Sequence, residues 1–323
     1  MRPISSARVL AAILVSIAAV VGWPSGAGSA VAVECPDLGS RIDGTGGPNN
    51  LRGTDGADVI RAGAGDDRVI ARGGDDCVLA GDGDDEVATG TGNNVAFGES
   101  GADRMTGEDG DDRLYGGAGP DRLVSAGGND ILGGGGGRDE LASGDGADTV
   151  DGNSGNDRVN GGAGADRITG ARGRDRLTGE GGDDRLSGGV DADNLYGMAG
   201  ADTLLGDGGR DILAGGGGRD ILSGGGAADG LEGSAGADQL RGGDGNDSLD
   251  GAGGADVLNG GGGADSLKGG SGRDKLNGGT GSDFIGTVDG VRDRVTCGPG
   301  QDTAIVDTHD RVAPGCELVR VLP

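Results

Sequence analysis

The chain has 323 residues, 81 of them glycine, with 2% aromatic residues and a formal charge of −27. An ordinary domain carries about 7% glycine and far more bulk, so a broad, roughly spherical core is excluded. The acidic excess repels phosphate and anionic membrane surfaces, which sets nucleic acid and membrane insertion aside as partners.

In chain order, residues 1–32 read as a secretory signal peptide. Arg2 and Arg8 precede the apolar run Val9–Val21, and Ala30-Val31-Ala32 offers a small-residue cleavage site. That run is too short for a comfortable membrane span. Residues 33–57 read as an N-terminal cap with one degenerate repeat, marked by Asn49 and Leu51, and Ile42 is placed on a first strand. From Asp58 the chain obeys a strict period. Steps of nine from 58 to 283 visit 26 positions, and each is Asp except Asn94. Two residues after each stands an aliphatic side chain or Met, weakest at Ala96, and two residues before each stands Gly, except at Asp191 and Ala227.

Collagen fails at once, because Asp111-Asp112-Arg113-Leu114-Tyr115 has no glycine at every third place. Disorder fails because three residue classes keep one phase over 26 repeats. Each x-aliphatic-x triplet makes a short strand with its middle side chain inward. Arg104, Arg122, Glu140, Arg158 and Arg176, spaced by 18, fall on the outer face. The other six residues reverse the chain, and their glycines let carbonyl oxygens crowd together. Carboxylate and carbonyl oxygens suit Ca²⁺ far better than Zn²⁺ or copper, and Mg²⁺ asks for a rigid octahedron.

These features resemble the RTX (repeats-in-toxin, hemolysin-type) calcium-binding nonapeptide family, of the actinobacterial secreted type, whose repeat reads G-G-x-G-x-D-x-U-x. Eight repeats carry all three glycines, among them Gly116-Gly117-Ala118-Gly119-Pro120-Asp121 and Gly242-Gly243-Asp244-Gly245-Asn246-Asp247. The resemblance implies an all-β, right-handed parallel β-roll over residues 58–288, a β-helix-like solenoid with two nonapeptides per coil, capped at both ends. It also implies multiple Ca²⁺ ions between turns 18 residues apart. The metal residues would be Asp58, Asp67, Asp76, Asp85, Asp103, Asp112, Asp121, Asp130, Asp139, Asp148, Asp157, Asp166 and Asp175, then Asp184, Asp193, Asp202, Asp211, Asp220, Asp229, Asp238, Asp247, Asp256, Asp265, Asp274 and Asp283. The best bridged sites would pair Asp121 with Asp139, and Asp247 with Asp265 and Asp283. Asn94 offers a neutral oxygen in a softened coil, and Asp193 and Asp229, which lack the preceding Gly, are expected to bind poorly.

Thirteen coils at about 4.8 Å each give a rod of roughly 60 Å. One aliphatic residue in nine cannot offset the entropy of ordering the other eight, so folding is expected to need the ion. The tail, residues 289–323, looks like a C-terminal cap. Four cysteines allow three pairings; the short bracketed tail favours Cys297–Cys316, with Cys35–Cys77 a weaker expectation.

No enzyme is expected. His309 is the one histidine, and no metalloprotease, nucleophile-elbow or P-loop motif occurs. The turn pairs Asp66-Asp67, Asp111-Asp112 and Asp183-Asp184 repeat as a structural feature would, which argues against glycosidase acids. A flat ice-binding ladder would need uniform outward residues, and these are mixed. Asp82-Gly83-Asp84-Asp85-Glu86 lacks the glycine of an EF-hand loop. The expectation is a secreted calcium-binding rod with a structural or interaction role. An adhesin-like surface or matrix module is the alternative, with a toxin or secreted enzyme further off; the sequence names no protein or cell-surface partner.

Overall fold

The computed structural model describes Cys35 and residues 39–323. The chain divides into two units, Met1–Asp37 and Leu38–Pro323, and every strand lies in the second. The signal peptide expected over residues 1–32 lies outside the described residues.

Strands are the only regular elements among the described residues. Each triplet around an inward aliphatic residue forms one, as in Arg113–Ala118 and Arg122–Val124. Alternation along the strand buries Leu114 and Leu123 and leaves their neighbours outside. Successive strands go to two different sheets, and each pairs in parallel with the strand one coil away. Leu114 stands opposite Leu132 in the first sheet and Leu123 opposite Leu141 in the second. The register is therefore 18 residues, two nonapeptides per coil.

The first sheet has 16 strands, from Ser40–Thr45 to Arg311–Val312. The second runs from Asn50–Arg52 to Leu318–Leu322, with two rows interrupted at Gly253–Gly254 and Ser271–Gly272. The solenoid thus has about 16 turns rather than 13, because the flanking segments continue both sheets. Ser40 pairs with Asp58 ahead of the strict repeats. Beyond them Lys275 pairs with Arg294, Arg294 with Arg311 and Thr303 with Leu318, so the spacing drifts from 18 to 19, 17 and 15.

The core is one column of side chains between the sheets. Ile60, Val78, Leu114 and Leu132 come from the first sheet, and Val69, Val87, Met105 and Leu123 from the second. Each aliphatic rung stacks on its copy one coil away, which excludes water from a thin interior. Polar backbone groups are used up by the ladder: Arg122 N donates to Asp103 O and Glu140 N to Asp121 O, both at 2.8 Å. The expected Cys297–Cys316 disulfide is present, with Cα atoms 5.3 Å apart. Cys35 and Cys77 are also disulfide-bonded.

Candidate metal centre

The turn before each strand places one aspartate against the interior, and Asp121 shows how. Gly117 and Gly119 have φ of 108° and 128°, a region that side chains rarely adopt. These two reversals fold the turn back so that the Asp121 side chain points inside, 3% exposed. Its Oδ1 accepts the Asp103 N–H at 2.9 Å, and its own N–H donates to Asp139 Oδ1 at 2.8 Å. Its Oδ2 is buried with no hydrogen-bond partner. Gly116 explains the space beside that oxygen. A Cβ there would lie 2.3 Å from Asp121 Oδ2 and 2.7 Å from the carbonyl oxygen of Gly134, one coil on. The first glycine of the repeat therefore keeps open a cradle between a carboxylate and a carbonyl of the next coil.

The same ladder runs along both edges. On the edge of Asp121, Asp247 N donates to Asp265 Oδ1 and Asp265 N to Asp283 Oδ1, each at 2.9 Å. On the other edge, Asp112 N donates to Asp130 Oδ1 at 2.7 Å and Asp130 N to Asp148 Oδ1 at 2.8 Å. All twenty-five aspartates named from the sequence are buried and keep one unpartnered carboxylate oxygen. It is Oδ1 at Asp58, where Oδ2 accepts from Thr54. Asp193 and Asp229 sit in the ladder like the others, because Asp191 and Ala227 adopt the positive φ (78° and 82°) that glycine supplies elsewhere. What departs from the pattern there is backbone strain, and the carboxylates are placed alike.

A buried, unpartnered carboxylate resists ionisation. Burial pushes Asp121 up to about 7, against the lowering effect of the Asp103 N–H bond, and the charges of Asp103 and Asp139 push it further. Asp112, Asp157, Asp184 and Asp193 are likewise raised to about 7, and Asp103, Asp139 and Asp175 to about 6, each mainly by burial. A cation beside Oδ2 would remove both penalties.

The donor set fits calcium. In a turn such as that of Asp121 the oxygens on offer are one free carboxylate oxygen and a backbone carbonyl of the next coil, the hard oxygen donors that calcium takes. Asn94 marks the carbonyls that face the cradle. Its Oδ1 keeps the ladder bond from Asp76 N at 3.0 Å, while its Nδ2 donates to Gly90 O at 3.1 Å and Gly92 O at 2.9 Å. An amide N–H thus stands where a cation would otherwise meet those oxygens. The coil expected to be softened is fully buried at Asn94 and Ala96.

Four residues outside the expected site set continue the ladder, the fourth being Asp310, which accepts from Asp293 N at 2.9 Å. Asp293 and Asp302 continue the ladder, each buried with an unpartnered Oδ2, and accept from Asp274 N at 2.7 Å and Asp283 N at 2.9 Å. Glu317 takes the next place, accepting from Asp302 N at 2.8 Å. The sequence signal was there for the first two, in Asp293-Arg294-Val295 and Asp302-Thr303-Ala304. By contrast, the outer acids Asp66, Asp111 and Asp183 are near the surface, and each accepts an N–H from the coil that follows, as Asp111 does from Asn129 at 2.8 Å. Five of the expected residues lack an open cradle. Ala62, Ala71 and Ala80, and Ser125 and Ser143, stand where Gly116 stands in its repeat, ahead of Asp67, Asp76, Asp85, Asp130 and Asp148.

Fold and site together define a calcium-binding parallel β-solenoid. The RTX calcium-binding nonapeptide repeat matches in overlapping segments across residues 43–285, so the chain belongs to that family. Its repeats bind calcium, in multiple copies, and its solenoid is a structural, non-catalytic kind of fold. Among solved structures, the chain is similar to a hyperactive, Ca²⁺-dependent, β-helical antifreeze protein from an Antarctic bacterium. The identity is 16%, covering 80% of this chain and 83% of that one, with a TM-score of 0.28. No curated protein matches the chain.

Proposed function

We propose that the chain is an exported repeat protein whose ladder aspartates hold Ca²⁺ between consecutive coils, and that this binding drives its folding into a rigid rod. The observation that carries the proposal is the column of buried carboxylate oxygens with no partner, many of them beside a carbonyl of the next coil, as Asp121 and Asp247 are. Calcium supplies the positive charge that those oxygens lack and accepts the carbonyls as further ligands. The chain's own residues do the rest. Oδ1 of each aspartate fixes the coil spacing through the neighbouring backbone N–H, the paired glycines aim Oδ2 inward, and the aliphatic rung excludes water.

Without the ion, about one carboxylate per coil edge must be buried charged or protonated, and the thin core cannot offset that cost. Low calcium inside a cell would leave the chain unfolded for export, and folding would follow outside. The disulfides support an oxidising destination. In this reading residues 1–32 are the export signal, 58–288 the ion-dependent roll, and 33–57 and 289–323 its caps.

Far-ultraviolet circular dichroism of residues 33–323 during a calcium titration tests the coupling. A cooperative gain of β signal with calcium, absent with magnesium and reversed by chelator, is expected. A full β signal without metal would contradict it.

A further inference from the structure

The outer face of the second sheet carries an arrangement that calcium binding does not explain. Arg104, Arg122, Glu140, Arg158 and Arg176 occupy five consecutive rungs, all exposed. Arg104 stands directly opposite Arg122, and Arg158 opposite Arg176. Like charges in register repel. Among the described residues Arg122 is ion-paired with Glu140, and Arg104 has Glu86, itself paired with Arg68, on its other side. Elsewhere on this sheet the chain uses matched pairs, Arg68 with Glu86 and Lys268 with Asp250, so the unmatched arginines are not a requirement of the fold.

Beside this ladder lies a groove of about 240 Å³ at the turns, lined by Arg104, Arg122, Arg138 and Arg158 together with Glu140 and the buried Asp103, Asp121 and Asp139. Four arginines thus line one cleft of a chain whose formal charge is −27, facing the four carboxylates of Asp103, Asp121, Asp139 and Glu140. We propose that this groove and the arginine ladder that continues it bind a linear anionic polysaccharide, through its carboxylate or sulfate groups, lying along the rod axis. Five rungs span about 19 Å, enough for several sugar units of one extended chain. Guanidinium forks match carboxylate and sulfate oxygens two at a time.

The page favours this class over two others. A membrane plane or a DNA duplex would meet the rest of an acidic surface as well as the ladder, and be repelled by it. A single nucleic-acid strand calls for aromatic platforms on which bases stack. The aromatic ring next to these five rungs, Tyr196, is covered by Arg176, 4.3 Å from the ring centroid, and Phe284, exposed on the same sheet, lies six rungs beyond Arg176. The inference rests on the calcium reading in one respect. Ions beside Asp103, Asp121 and Asp139 cancel the negative charge beneath the groove, so polyanion binding strengthens as calcium loads.

The test is a titration of the full calcium-loaded protein with two probes, heparin fragments and polygalacturonate, at 50 mM and 300 mM NaCl, with circular dichroism on each sample. Expected are salt-sensitive binding of at least one probe, a loss of about tenfold or more in the Arg104→Ser, Arg158→Ser double variant, and a gain in Glu140→Gln. Arg185→Ser, on the other sheet, leaves binding unchanged. A folded protein that binds neither probe, or binds equally after the double substitution, overturns the proposal alone. Tighter arginine-dependent binding of duplex DNA or of phosphatidylserine vesicles overturns it in favour of another partner. A chain with no β signal in calcium overturns the folding proposal, and the groove, which needs stacked coils, falls with it.

Discussion

Two stretches of the solenoid obey the same nine-residue period and treat their aspartates differently. Between residues 152 and 283 every ladder aspartate is preceded, five residues earlier, by a glycine that leaves the cradle open, as Gly242 does for Asp247 and Gly260 for Asp265. Between 67 and 94 that place is held by Ala62, Ala71, Ala80 and Thr89, all fully buried, and the last position of the stretch is Asn94. There the protein's own atoms take up the space: three methyl groups, a threonine and an amide that donates to two carbonyls. The comparison teaches that period and room for an ion are separable. The period builds the coil, and the residue five places before the aspartate sets whether space is left beside its free carboxylate oxygen, which stays unpartnered at Asp67, Asp76 and Asp85 as well. Ser125 and Ser143 are isolated cases of the second kind, each donating its hydroxyl to a carbonyl of the next coil at 2.8 and 2.7 Å.

The largest consequence is a molecule that melts from one side. In chelator at pH 7.5, amides of residues 152–283 are expected to exchange at nearly unfolded rates. Those of residues 58–94 should stay protected by about tenfold or more, read by hydrogen exchange of proteolytic fragments. Uniform loss of protection would break the comparison.

Acid should act next, and in a definite direction. In the metal-free fold burial raises the carboxylates of the open stretch, Asp157 and Asp184 to about 7 and Asp256 to about 6, whereas an unfolded aspartate titrates near about 3.9. The folded chain then binds more protons than the unfolded one. Its metal-free stability is fullest below the unfolded value and is lost as pH rises through 6 to 7. Acidifying the chelated protein from pH 8 to 5 should therefore restore β signal in circular dichroism. The same change in dilute calcium should displace the ion.

A smaller effect is expected from filling one cradle. A Cβ on Gly242 would lie 2.2 Å from Asp247 Oδ2 and 2.5 Å from Gly260 O. Gly242→Ser should remove one ion from the stoichiometry seen by equilibrium dialysis and raise the calcium midpoint of folding. Its counterpart, Ala80→Gly, should add an ion beside Asp85. Smallest of all is Asn94→Asp, which exchanges two amide hydrogen bonds for a carboxylate. It should cost about 1–2 kcal/mol in chelator and recover most of that in calcium, measured by urea denaturation.

Much of this was legible in the residues. The step of nine, the aspartate and the aliphatic residue two places on gave the coil, the inward face and the edge ladders, because each follows from strand alternation and turn chemistry. The tail was legible only in part. Its spacings of 19, 17 and 15 break the step of nine, so Asp293 and Asp302 fall out of a strict count although each keeps its following aliphatic residue. Glu317 reaches the ladder with a longer side chain across a shortened coil, which a search for aspartate misses. The Asn94 coil reads as a weak point because a neutral residue and a small Ala96 coincide. That its amide satisfies two carbonyls is a matter of geometry, invisible to spacing. The difference between open and filled cradles was in the sequence, but its meaning depends on where a single Cβ would point.

The central claim is that the unpartnered aspartate oxygens are the calcium ligands. Anomalous diffraction from crystals grown in calcium tests it most directly. The account predicts two rows of ion peaks, one along each edge, each peak beside a ladder carboxylate such as Asp121, Asp247 or Asp265 and one coil from the next, with gaps at Asn94 and the filled cradles. Peaks gathered instead on the outer acids Asp66, Asp111 and Asp183, with the inner oxygens left without an ion, would contradict it.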